Sequence, residues 1–126
     1  MKLARRPRGF AWATGIVLLV ASGCSSVSFV SRVTIANPTD FPVNVEVSGE
    51  GRAKWLSLGS TEARSDATTR DVVDQGDVWV FRFDYLGVHG DTVEVSRADL
   101  AQAGWRVEVP QTVEEDLRAL GFQPPP

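Results

Sequence analysis

Between Val78 and Tyr85 the chain alternates, residue by residue, between an aromatic row (Trp79, Phe81, Phe83, Tyr85) and a mixed row (Val78, Val80, Arg82, Asp84). A period of two puts successive side chains on opposite faces of an extended strand, whereas a helix would scatter these four rings around its circumference. So much aromatic area on one side has to leave water, which predicts a central strand with an apolar layer facing it. Phe41, Val43, Val45 and Val47 repeat the pattern against Asn44, Glu46 and Ser48, and Gly49-Glu50-Gly51 ends the run. Pro42 has no amide donor and so belongs at a strand start or a sheet edge.

The remaining segments are weaker versions of the same signal. Val27, Phe29, Val33 and Ile35 fall on odd positions and predict a half-buried strand over 27–35, closed by the turn residues Asn37-Pro38-Thr39-Asp40. A short strand at Trp55, Leu56 and Leu58 ends at Gly59-Ser60, a polar loop follows from Thr61 to Thr69, and Thr68–Val73 reads as the next strand. Asp74-Gln75-Gly76-Asp77 turns the chain into the aromatic strand, and Leu86–Asp91 is a hairpin loop returning through Thr92–Val95. Ser96 caps a helix that Gly104 stops, Trp105, Val107 and Val109 form a last strand, and Thr112-Val113-Glu114-Glu115 reads as a capping box. Val113, Leu117 and Leu120 give that second helix one apolar stripe, ended by Gly121. The expected fold is all-β: a small immunoglobulin-like sandwich of about seven strands with two short helices near the C-terminus. The Cys-Trp-Cys hallmark of true immunoglobulin domains is absent.

Ahead of this domain, Lys2, Arg5, Arg6 and Arg8 precede an uncharged apolar run from Phe10 to Val20 and then small residues up to Cys24. That is the three-part layout of a secretory signal, and its run is shorter than the roughly 20 residues a spanning helix needs. Ala21-Ser22-Gly23-Cys24 resembles the lipobox of bacterial lipoproteins, in which a peptidase cuts before the cysteine and the cysteine carries the lipid; Ala21 stands where leucine is commonest. The resemblance covers residues 1–24 and implies lipidation of Cys24, a palmitate-type membrane anchor and an extracytoplasmic domain in the cell envelope. A second reading keeps the leader as an uncleaved anchor, since no charge occurs between Arg8 and Arg32, although Ser22, Ser25, Ser26, Ser28 and Ser31 suit hydrocarbon poorly. Either way the basic cluster stays inside and the domain is exported. The expected division is a signal peptide over 1–23 with an apolar helix, lipidated cysteine and tether over 24–31, the β domain over 32–122, and a proline-rich tail over 123–126. Asn37-Pro38-Thr39-Asp40-Phe41-Pro42-Val43 is also similar to the Asn-Pro-Asn pattern of desiccation-related LEA domains, which are small β-sandwiches; the plain reading of these residues is a turn before a strand.

Charge and cysteine content narrow the function. Without residues 1–23 the chain has 103 residues, one domain's worth, with 9 basic and 16 acidic side chains and a net charge of −7. Such a surface disfavours nucleic acid and electrostatic adsorption to anionic lipid, so membrane contact is expected through the lipid on Cys24. One cysteine allows no internal disulfide, and one His with one Cys makes no structural zinc site, so neither a cofactor nor a metal is expected.

Candidate chemistry is sparse. His89, two residues from Asp91 in the expected hairpin tip, is the only imidazole for a hydrolase, and no Gly-x-Ser-x-Gly elbow presents a nucleophile. Asp71, Asp74, Asp77 and Asp84 offer paired carboxylates for glycoside hydrolysis, and Asp71, Asp74 and Asp77 around Gly76 offer oxygen ligands for calcium without the spacing of an EF-hand. Solvated turn acids fit this placement better. Arg82 and Asp84 share the outer face of the aromatic strand, while Trp55 and Trp105 are expected in the core. The chain therefore reads as a non-enzymatic binding or envelope-organising module, with an envelope protein as its candidate partner. The alternatives are a small envelope hydrolase using His89 or the Asp71–Asp77 acids, and a calcium-binding sandwich.

Overall fold

A computed structural model describes residues 27–126; the expected signal segment and its helix, and Cys24 with it, lie outside the described residues. The aromatic strand, β5 (Val78–Tyr85), lies inside a four-stranded antiparallel sheet between β2 (Val43–Ser48) and β6 (Val88–Ser96), with β3 (Leu56–Thr61) beyond β2. The second sheet has β1 (Phe29–Asn37) at its centre, antiparallel to β4 (Ser65–Val73) and parallel to β7 (Arg106–Glu108). Two short helices, α1 (Arg97–Gln102) and α2 (Gln111–Ala119), flank β7 in the chain. The protein is thus mostly β, with seven strands in two sheets and the helices near the C-terminus. Among the described residues no helix is long and apolar enough to cross a membrane.

One core joins the sheets. Trp79, Phe81 and Phe83 of β5 and Val43, Val45 and Val47 of β2 are fully buried in one cluster with Val33 and Ile35 of β1 and Val72 of β4. Trp79 stacks on Phe81 with ring centroids 6.2 Å apart, and its indole N–H donates to the Gly76 carbonyl at 3.1 Å, so the largest ring enters the core with no orphan donor. Both faces of β5 are covered at its start, because residues 49–55 fold back over the outer side. Ser48 and Val80 are buried there, the Ser48 hydroxyl donates to the Lys54 carbonyl, and Arg52 pairs with Glu94.

Several local expectations are corrected. The first strand, expected over 27–35, is β1 at Phe29–Asn37, and Val30 rather than Phe29 enters the core. The alternation changes phase between Val30 and Val33, and at the same level of β4 between Thr69 and Val72, where Asp71 takes a φ of 53°. The two strands change facing at the same level, so their pairing continues in register on both sides of the change. The loop expected at Thr61–Thr69 is mostly strand: β4 starts at Ser65, and as an edge strand it fills its inward positions with Ala67 and Thr69. The Thr69 hydroxyl donates to the Leu58 carbonyl at 2.8 Å, linking the sheet edges. Gly59-Ser60 does not end β3, which continues to Thr61 past a bulge opposite Val45 and Glu46.

The hairpin loop is also shorter than expected. Leu86 and Gly87 alone turn the chain, both with positive φ as a type I′ turn requires, and β6 begins at Val88. His89 consequently sits in a strand. Ser96 accepts from the Asp99 amide and caps α1 as expected, but α2 starts at Pro110 without a side-chain cap, so Thr112 makes no capping box. Glu114 instead reaches back to accept from the Asp40 amide at 3.2 Å. Val113 and Leu117 are buried, whereas Leu120 is 63% exposed; Phe122 packs edge-on to Tyr85 in its place.

The turn after β1 is a buried polar knot. The Asn37 side-chain amide donates to the carbonyls of Phe41, Thr61 and Glu62 at 2.8, 3.3 and 3.0 Å, and its carbonyl accepts from the Thr39 amide and hydroxyl. One residue thereby ties β1, β2 and the end of β3. Phe81→Ala is expected to cost about 3–5 kcal/mol through its cavity, whereas Arg82→Ala, on the outer face, should cost about 1 kcal/mol or less. Asn37→Ala, which strands several buried groups at about 1–3 kcal/mol each, should destabilise nearly as much as Phe81→Ala. Chemical denaturation of the three variants measures this order.

Candidate functional site

The outer face of the four-stranded sheet, opposite the aromatic row, gathers the polar side chains. Register places Asn44, Asp84 and His89 in one row across β2, β5 and β6, and Ser57, Glu46, Arg82 and Thr92 in the next. Arg82 donates to one Glu46 oxygen through Nε at 3.0 Å and through a terminal nitrogen at 2.6 Å, while its guanidinium carbon lies 3.9 Å above the Trp55 ring. Trp55, expected in the core, is therefore half-buried on the outer face as a lid over Arg82. Trp105 sits at the core margin, its ring 5.6 Å from that of Trp79 and 5.3 Å below the Arg97 guanidinium.

Asp84 and His89 define the one unbalanced spot on this face. The imidazole Nδ1 is 3.4 Å from Asp84 Oδ1, close enough for an ion pair if the ring is protonated, but without hydrogen-bond geometry. Oδ1 is buried and is, among the described residues, the only buried side-chain polar atom with no partner. It borders a hollow of about 420 Å³ lined by Asn44, Glu46, Ser57, Gly87 and His89. A buried carboxylate oxygen with nothing to accept from is costly, so a ligand donor placed there gains more than at an exposed acid.

His89 also borders a second, apolar hollow of about 290 Å³ between β6 and α2, lined by Val88, Gly90, Val113, Leu117 and Leu120. The helix approaches the strand at Gly90, where an added Cβ would meet a Val113 methyl at 3.3 Å. That volume lies at the small end of the range of about 300–1,000 Å³ for small-molecule sites and suits one or two apolar side chains. Exposed Leu120 forms its rim. The imidazole is thus a ridge between a polar and an apolar depression.

The other candidate residues are not assembled. Ser57 and Ser60 lie on β3 and His89 on β6, three strand spacings apart, or about 14 Å at about 4.8 Å per spacing. Neither serine reaches the imidazole as a nucleophile must. Asp91, expected beside His89 in a loop tip, lies in a bulge of β6 opposite Phe83. Asp74 accepts from Arg97 Nε at 2.9 Å with one oxygen and from the Gly76 amide at 2.9 Å with the other. Asp71 is an exposed residue of β4, and the Asp77 carbonyl is occupied by the Arg97 amide. No group of three metal-ligating side chains comes together among the described residues, and Asp71, Asp74 and Asp77 form no calcium cage. Cys24 lies outside the described residues.

At the same end as the two hollows, a charged clasp escaped the sequence reading. Asp40 holds Arg64 with one oxygen and Arg118 with the other at 3.1 Å, and Arg118 also donates to Glu114 at 2.9 Å. The Arg64 hydrogen bond, aided by the charges of Arg64 and Arg118, lowers the Asp40 carboxyl below its ordinary value against a smaller burial effect. The clasp fixes α2 and with it the apolar hollow. Its only sequence trace is the i,i+4 pair of Glu114 and Arg118.

No protein family, curated protein or solved structure matches the chain. The site therefore stands on its own geometry.

The Asp74 carboxyl is lowered chiefly by its Arg97 hydrogen bond, which outweighs the opposing effect of burial and is aided by the Gly76 amide and the Arg97 charge. A carboxyl lower in the folded than the unfolded chain stabilises above the unfolded value of about 3.9, and the gain disappears as pH falls through the folded value. Asp74→Asn should therefore lose about 1 kcal/mol or less at neutral pH, and the two proteins should converge below about pH 4. Thermal melts across that range test this; a difference that grows in acid contradicts it.

Proposed function

We propose that the protein is a lipid-anchored, extracytoplasmic binding module that holds an envelope protein partner at the paired hollows around His89. The fold is read as an immunoglobulin-like sandwich, a reading supported by about a hundred residues, seven strands and a division into three- and four-stranded sheets. Anchoring is supported by the basic leader, the apolar run and Ala21-Ser22-Gly23-Cys24. The observation that carries the binding site is the unpartnered Asp84 Oδ1 beside an imidazole that also edges an apolar hollow. That pairing suits a polypeptide segment carrying an apolar side chain for the space under Leu120 and a hydrogen-bond donor, cationic or amide, for Asp84. The role is non-enzymatic, since the imidazole has an acid beside it and both β3 serines out of its reach.

The position of the hollows fits an anchored protein. Asp84 lies six residues along β5 from Val78, about 20 Å at about 3.3 Å per residue, and Val78 is at the end where β1 begins. The hollows thus open on the side away from the tether.

Labelled palmitate should enter the native protein and be lost in Cys24→Ala; unchanged labelling, or none in the native protein, contradicts the anchor. For the site, a photo-crosslinking residue at position 120 in native membranes should give one discrete adduct that Asp84→Ala abolishes. No discrete adduct, or one indifferent to Asp84→Ala, removes the partner site.

A further inference from the structure

We infer that the domain seats the apolar rim at its tether end in the lipid surface to which Cys24 is joined, so that it lies against the membrane in a fixed orientation. This rests on the lipid-anchored reading above and adds a membrane-contact surface to it. Val27 and Phe29 are 62% and 60% exposed, although large apolar side chains at a domain's end gain nothing from water. Phe29 lies directly opposite Val73 in the β1–β4 register, and Val73 lines a hollow of about 400 Å³ with Lys54, Trp55, Leu56 and Gln75. Cross-strand neighbours have Cβ atoms about 5 Å apart, so Val73 stands between Phe29 and that hollow. Leu56 adds a further exposed apolar edge. Val27, Phe29 and Leu56 are the exposed large apolar side chains of this end.

What covers this rim follows from where the chain leads. Only Ser25 and Ser26 separate Cys24 from Val27, and three residue steps span about 10 Å at full extension. An acylated Cys24 therefore holds Val27 and Phe29 within headgroup reach. Charge points the same way. The segments forming this end, 27–32, 48–57, 70–80 and 94–99, carry five basic and six acidic residues, whereas the rest of the exported part carries four basic and ten acidic. The end nearest the tether is almost neutral, and the acidity that anionic lipid repels is concentrated away from it. Lys54 at the hollow has the long stem and charged head that reach past an apolar contact to phosphate. Trp55, whose ring also covers Arg82, contributes a half-buried amphipathic edge to the hollow. A lipid on Cys24 fixes the distance of the domain from the bilayer but not its orientation, which a protein surface adding apolar contact would set.

The test uses the full-length protein reconstituted into phosphatidylcholine vesicles brominated high on the acyl chains, with unbrominated vesicles as reference. Trp55 emission, obtained as the difference between the native protein and Trp55→Phe, should be quenched by bromine, and a retained leader with Trp12 cancels in that difference. In the Val27→Asp, Phe29→Asp double variant the quenching should vanish while palmitate labelling and the emission of buried Trp79 stay unchanged. Labelled protein whose Trp55 is unquenched, or quenched equally in the double variant, overturns the inference and leaves the anchor standing. Unquenched Trp55 with an oligomer that the double variant dissociates gives the rim to a second copy and overturns it too. Absence of palmitate from the native protein overturns both readings.

Discussion

Burying the aromatic face of β5 is the constraint on which everything else depends. Trp79, Phe81 and Phe83 cannot be covered by their own sheet, and the valines of β2 beside them face the same way. The second sheet is therefore obligatory, with Val33 and Ile35 of β1 as its counter-face and Leu100, Val107 and Val109 closing the space after β6. Trp105 caps the Trp79 end and Phe122 the Tyr85 end, so the C-terminal helices finish the same core rather than building another. The hollows exist because this packing is nearly complete. α2 is held to the sheet by Val113 and Leu117, and the gap it leaves beside Gly90 is where His89 and Leu120 meet.

Polar groups at the two ends then fix what apolar burial leaves free. Asn37 satisfies three carbonyls and is itself satisfied by Thr39, so a buried amide fixes the β1–β2 turn at no desolvation loss. Glu114 does the same between α2 and the Asp40 amide, with Arg118 neutralising it. Against this background of satisfied groups Asp84 Oδ1 is, among the described residues, the one buried side-chain oxygen without a partner, unlike the more numerous acids of the 71–77 segment. Those acids hold their own loop together through Arg97 and Gly76.

The sequence was most legible where a strand is central and its faces differ sharply. β2 and β5 have neighbours on both sides and wet residues on one face only, so alternation reports them directly. β4 was hidden because an edge strand fills inward positions with Ala67 and Thr69, which have no apolar signature. The phase change in β1 was invisible because Val27, Phe29, Val33 and Ile35 all fall on odd positions, so the alternation shows no break where Val30 turns inward. Gly87 and Gly90 bracket His89 and in sequence signal a loop, yet Gly87 serves the turn and Gly90 the approach of α2. Of the site, the residue types were legible and the juxtaposition was not. Asp84 and His89 are five residues apart and meet only because the hairpin turn is two residues long.

These features give the domain two unlike ends, an apolar and nearly neutral one continuous with the chain toward Cys24 and an acidic one carrying the hollows. Such polarity needs a rigid body between them, which one core shared by both sheets through β5 supplies. Native-state hydrogen exchange tests that claim most directly. The amides of β1 at Val33 and Ile35 should exchange with the same opening free energy and denaturant dependence as those of Phe81 and Phe83. Exchange of the three-stranded sheet at a distinctly lower free energy, while β5 stays protected, would show two separable layers and contradict the single core.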